Sequence, residues 1–152
     1  MLMPTDQICH SLKGTAGSGQ LELPISLTFP HGLVGLPKAT LATLQRIPGE
    51  EPFMWLSFEN PESRLNFLVI EPNGIVANYN LELFDQDADE LGIQGTEDAF
   101  VLNVVTMRDT VPATASVSLT GPIIVNRGTL RAKQVIISNY MDYRAPYILG
   151  EG

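Results

Sequence analysis

The chain has 152 residues, 44% hydrophobic and 17% charged, with 17 acids against 9 bases and a formal charge of −8. That is enough for one domain with a real core, too few for two comfortable ones, and too apolar for a disordered chain. The acidic balance speaks against non-specific nucleic-acid binding, which rewards a positive surface, and permits a basic protein partner.

Residues 1–20 are rich in Gly, Ser and Thr, so a flexible N-terminal tail is expected there, followed by a single domain over 21–152. Cys9-His10 supplies two metal ligands with no second pair nearby, too few for a structural zinc. The start lacks the basic residues and apolar stretch of a secretory signal, and Cys9 is the single cysteine. Both features lead to the expectation of a cytoplasmic protein.

Residues 21–29 alternate, with Ile25, Leu27 and Phe29 on one side, and predict a half-buried strand ended by Pro30-His31-Gly32. Residues 38–47 fit helix or strand. Pro48-Gly49-Glu50-Glu51 reads as a turn, and the bulky run from Phe53 to Phe58 as a buried strand. Residues 65–71 form the next strand, stopped by Pro72-Asn73-Gly74. Tyr79, Leu81 and Leu83 then share one face of another.

Between Glu82 and Asp98 lie seven acids and no base. Asp85 suits an N-cap, with a short helix from Gln86 to Leu91 ended by Gly92. Asp85, Asp87 and Asp89 resemble the start of an EF-hand loop, but its sixth and twelfth positions would be Glu90 and Thr96 rather than Gly and Glu. A solvated acidic helix or a partner-facing patch remains. Residues 100–107 make the strongest strand. Thr114 to Ser138 then read as a short strand followed by a hairpin, with Ile123-Ile124-Val125 and Val135-Ile136-Ile137 flanking Asn126-Arg127-Gly128-Thr129. Tyr140, Tyr143 and Tyr147 close the chain as an interface or as a tail packed on the domain's own edge.

The total of about eight to ten short strands with one or two short helices predicts an all-β antiparallel domain, barrel-like or sandwich. Charge is segregated: residues 50–98 carry twelve acids and one base, and 127–144 four bases and one acid. No phosphate loop, nucleophile elbow or C-x-x-C is present, so a non-enzymatic binding domain without cofactor or metal is the default.

Several pieces run in a familiar order. They are Phe29-Pro30-His31-Gly32-Leu33-Val34-Gly35; Pro52-Phe53 with Trp55-Leu56-Ser57; Phe67 to Pro72; Tyr79 with the acidic segment to Leu91; Val101 to Thr106; Leu119 to Asn126; Lys133 to Ile136; and Tyr143-Arg144. In this order the chain resembles the FliW family of flagellar assembly factors from about residue 25 to 148. It departs from the pattern at Leu36-Pro37, in Trp55-Leu56-Ser57 where a Gln commonly precedes the Ser, at Ser118 and at Ala132.

The resemblance implies a small cytoplasmic β domain with two protein partners, flagellin and the RNA-binding translational repressor CsrA. Holding CsrA relieves its repression of flagellin synthesis; new flagellin then captures the factor and frees CsrA. The family pattern and the segregated charge together direct the repressor-facing surface to Glu71, Tyr79, Phe84, Asp85, Asp87, Asp89 and Glu90. Tyr79 and Phe84 would anchor and the acids would steer; the plainer role for the two aromatics is core. The competing expectation is a small-ligand-binding barrel or a hydrolase-like enzyme using His31.

Overall fold

The computed structural model describes residues 21–59, 64–109 and 113–149, and the backbone of 9–13. Its strands are β1 (Cys9–Lys13), β2 (Ile25–Thr28), β3 (Leu41–Arg46), β4 (Met54–Glu59), β5 (Arg64–Ile70), β6 (Asn80–Phe84), β7 (Ala99–Arg108), β8 (Thr114–Val117), β9 (Ile123–Asn126), β10 (Ala132–Gln134) and β11 (Tyr147–Leu149). One helix, α1 (Asp85–Leu91), follows β6 directly, and 3-10 turns occupy Thr96–Asp98 and Tyr140–Tyr143. The expected all-β class holds.

The main sheet runs β10-β9-β7-β5-β4-β3-β2 and every strand pair in it is antiparallel. β7 is long enough to share one edge between two partners. Ala99–Leu102 pairs with β9, and Val105–Arg108 with β8, which in turn carries β11. β2 and β10 approach at one end, where the Thr28 N–H donates to Leu130 O at 3.0 Å. The sheet does not close into a barrel.

β5, β7 and β9 lie between two hydrophobic clusters. One contains Ile70, Tyr79, Leu81, Leu83, Val101, Val105 and Ile124. The other contains Leu27, Phe29, Leu44, Leu56, Phe58, Val69, Phe100, Leu102 and Val125. Strands covered on both faces read as continuous apolar runs, which explains Phe100 to Leu102 and Ile123 to Val125. β4 faces one cluster only, and its burial alternates residue by residue.

Three sequence expectations shift. Residues 38–47 resolve as strand β3. The second arm of the hairpin is Ala132–Gln134 rather than Val135–Ile137, although Val135 and Ile137 continue alongside it, donating to Pro122 O and Thr120 O. Cys9–Lys13, placed in the tail by composition, pair with β6 from Cys9↔Phe84 to Lys13↔Asn80; the rest of residues 1–20 lies outside the described residues. In the Phe29–Gly35 loop only glycine fits at position 32. Its φ is +67°, and a Cβ there would sit 2.4 Å from Leu36 O.

Candidate partner-binding site

The acidic segment becomes helix α1. Phe84, not Asp85, occupies the N-cap position, and no side chain caps it. Asp85 and Asp87 fall in the first turn, where a carboxylate favours the positive end of the peptide dipoles. Gly92 ends the helix with φ 71°, its N–H donating to Asp89 O at 3.1 Å and that of Ile93 to Ala88 O at 2.9 Å. Ala88 and Leu91 fix the inner face of the helix in the core.

The β9–β10 hairpin holds the helix in place. Asn126 Nδ2 donates to Leu91 O at 2.7 Å, while its Oδ1 accepts the N–H groups of Gly128 and Thr129 at 2.8 and 3.0 Å. One buried amide therefore shapes the hairpin turn and satisfies a carbonyl at the helix end. Lys133 Nζ reaches Asp87 Oδ1 at 2.7 Å and Glu90 Oε2 at 3.0 Å. Burial alone would lower the Lys133 pKa, but its bonds and charge contacts with these two acids outweigh that and raise it. The same Lys133 bond holds Glu90 below the usual carboxylate range. The outward acidic surface is therefore smaller than the sequence suggests: Asp87 is spent on Lys133, and Asp89 faces solvent.

The remaining predicted site residues scatter. Tyr79 has no exposed surface; its hydroxyl donates to Leu119 O and accepts from Asn103 Nδ2 at 3.1 Å. It is core, and burial pushes its phenol well above the ordinary value. Phe84 and Asp85 are half-buried at the start of the helix. Glu71 lines a different cavity, of about 200 Å³, with Arg46, Phe53, Asn73 and Phe100. Burial raises its pKa, and the opposing charges of Arg127 and Arg46 do not fully offset it. Arg127 itself is tied to the sheet, with Nε donating to Ala99 O at 3.1 Å and its guanidinium 5.2 Å above the Phe100 ring.

His31, the residue of the enzymatic alternative, is exposed and sits with Nε2 3.2 Å from Glu90 Oε2. The cavity beside it, about 290 Å³, is lined by Pro30, His31, Glu90, Leu91, Arg131, Ala132 and Lys133, with no Ser, Thr or Cys to serve as nucleophile. Among the described residues no group of three or more His, Cys, Asp or Glu is placed to hold a metal. Among them, too, no helix is long and apolar enough to cross a membrane.

Sequence reasoning passed over Lys133 and Asn126 as parts of this site. The signal for Lys133 was the charge segregation itself, because a chain that places its bases apart from its acids can bring them together in space. Asn126 carried no such signal.

Comparison with known proteins agrees with this architecture. A family model described as FliW protein matches residues 14–148. The flagellar assembly factor FliW of Leptospira biflexa is 31% identical over 120 residues, covering 79% of this chain and 78% of that protein. Flagellar assembly factor FliW 2 of Desulfotalea psychrophila is 34% identical over 114 residues, covering 73% and 72%. A crystal structure of the flagellar assembly factor FliW superposes with a TM-score of 0.66 at 28% identity, covering 84% of this chain and 89% of that one. With the match spanning both cores, the acidic helix and the hairpin that holds it, the chain belongs to the FliW family of flagellar assembly factors.

Proposed function

We propose that this chain is a cytoplasmic, non-catalytic regulator that binds flagellin and the translational repressor CsrA, and that it exchanges one for the other to set flagellin synthesis. The observation that carries the reading is the family match over residues 14–148. The acidic helix supplies a surface of the right sign. An RNA-binding repressor presents positive charge, and unlike charge speeds encounter and favours one orientation.

Asp85 and Asp89 on α1, Glu82 before it and Glu97 after it are the acids that steer. Phe84 offers a half-buried aromatic at their edge. Asp87 and Glu90 contribute indirectly, by holding the helix on Lys133. Tyr79 supports the surface from beneath, and Glu71 belongs to a separate cleft.

The test is size-exclusion chromatography of the full chain with flagellin and with CsrA from the same organism, separately and together. A complex with each, and release of CsrA on adding flagellin, is the expected result; failure to bind either partner overturns the reading. For the surface, Asp89→Lys with Glu97→Lys leaves the Lys133 bridge intact. This double variant should slow association with CsrA about tenfold at low salt. Unchanged association would remove the acidic helix from the interface.

A further inference from the structure

The outer edge of β6 is covered by side chains where a neighbouring strand would otherwise lie. On its other edge β6 pairs with β1. On this one, Asn139 Oδ1 accepts the Glu82 N–H at 2.9 Å and Asn139 Nδ2 donates to Asn80 O at 2.8 Å. The Tyr143 hydroxyl accepts the Asn80 N–H at 2.8 Å and donates to Asn78 O at 3.0 Å. The Ser138 N–H donates to Glu82 O at 2.7 Å. These groups satisfy the edge as a strand would, with bonds that mostly lie at the surface. The turn that carries Tyr143, Tyr140–Tyr143, buries no residue, and Tyr140 and Met141 are exposed on it. Apart from the Tyr143 ring, which packs against the core, the segment is held mainly by surface hydrogen bonds, the mark of one that opens at low cost.

We propose that residues 138–143 form a latch over a strand-addition site. When the latch swings out, the Asn80–Glu82 edge accepts an extended basic segment of a partner protein, making β6 the middle of a three-stranded sheet. The basic assignment follows from charge. Glu82 lies on the edge itself and Asp85 is three residues on. The ring of Tyr143 stacks edge-on against Tyr79, with centroids 5.1 Å apart, so the latch also reaches the core beneath the edge.

The experiment compares amide exchange in the full chain and in Asn139→Ala/Tyr143→Phe, whose Phe keeps the ring on Tyr79. Exchange at Asn80 and Glu82 should rise about tenfold, with β4 and β7 amides unchanged. Asn139→Ala alone should move Glu82 in the same direction. The peptide acetyl-KVKVTVK-amide should bind the double variant about tenfold more tightly than the natural chain and restore slow exchange, because the closed latch lowers the binding-competent fraction. Unchanged exchange in both variants overturns the latch. Fast exchange that the peptide cannot slow overturns the strand site. Equal protection by acetyl-EVEVTVE-amide overturns the basic assignment. Protection through dimerisation, seen by sedimentation, would assign the edge to a second copy instead.

Discussion

The Tyr79 hydroxyl lies where only protein atoms can satisfy it, between Leu119 O and Asn103 Nδ2. Tyr79→Phe should therefore cost about 1–3 kcal/mol in urea unfolding, the penalty for leaving a buried carbonyl without its donor. A change of stability below about 0.5 kcal/mol would mean the pair is not needed. The alternation of Tyr79 with Leu81 and Leu83 made the core role legible in the sequence. What it could not convey is the partner, because Asn103 on β7 and Leu119 in the β8–β9 connection lie far along the chain. Glu71 makes the opposite case. Burial raises its pKa despite two nearby arginines, so the folded state holds its proton more tightly than the unfolded chain does. Its contribution to stability is most favourable below the ordinary carboxylate pKa and is lost as pH rises through the raised one. Glu71→Gln should therefore be more stable than the natural chain at pH 7, with the difference shrinking as pH falls toward 4. A difference that grows on acidification would show that the arginines dominate after all.

The pairing of α1 with the β9–β10 hairpin shows where local signals suffice and where they end. Gly92 as the helix stop and the polar turn after Asn126 were both readable, since each follows from local backbone chemistry. The helix start was displaced by one residue, because the Phe84 backbone turns the chain without a side-chain cap. The positive φ in the hairpin falls on Leu130, not on Asn126 or Gly128, because the Asn126 side chain organises the turn by hydrogen bonding. The Lys133 bridge was hidden by its sequence distance from Asp87 and Glu90. Its removal is informative. Lys133→Ala leaves Asp87, whose side chain is 15% exposed, without its cation and should destabilise the domain by about 1–3 kcal/mol. The loss should concentrate in α1, read as faster amide exchange at Ala88 and Leu91. Uniform loosening of the whole sheet would show that the bridge does not act on the helix.

At the scale of the molecule, β5, β7 and β9 contribute residues to both cores and form the wall between them. The apolar runs in β7 and β9 were legible as strands, but not as a shared wall. The pairing of β5 with β7 across the α1 segment, and the division of β7's edge between β8 and β9, depend on long-range fit that no local pattern encodes. The same argument explains why a barrel was a natural expectation and an open sheet the outcome. β2 and β10 meet through one bridge at Thr28 and Arg131, and the second core lies over the outer face of the central strands. If the central strands do couple the cores, damage to either must lower a single transition. Leu83→Ala opens a cavity in one cluster and Leu56→Ala in the other, and each should cost about 2–5 kcal/mol. Trp55, the single tryptophan, lies on β4 beside the Leu56 core and so reports on that side. In Leu83→Ala its fluorescence should still change at the same denaturant concentration as far-UV circular dichroism, although the cavity lies in the other cluster. Coincident curves are the mark of two-state unfolding. A Trp55 transition left at its natural midpoint, while the ellipticity falls earlier, would mean that the two cores melt separately. The acidic helix could then open without disturbing the β2–β4 side of the sheet.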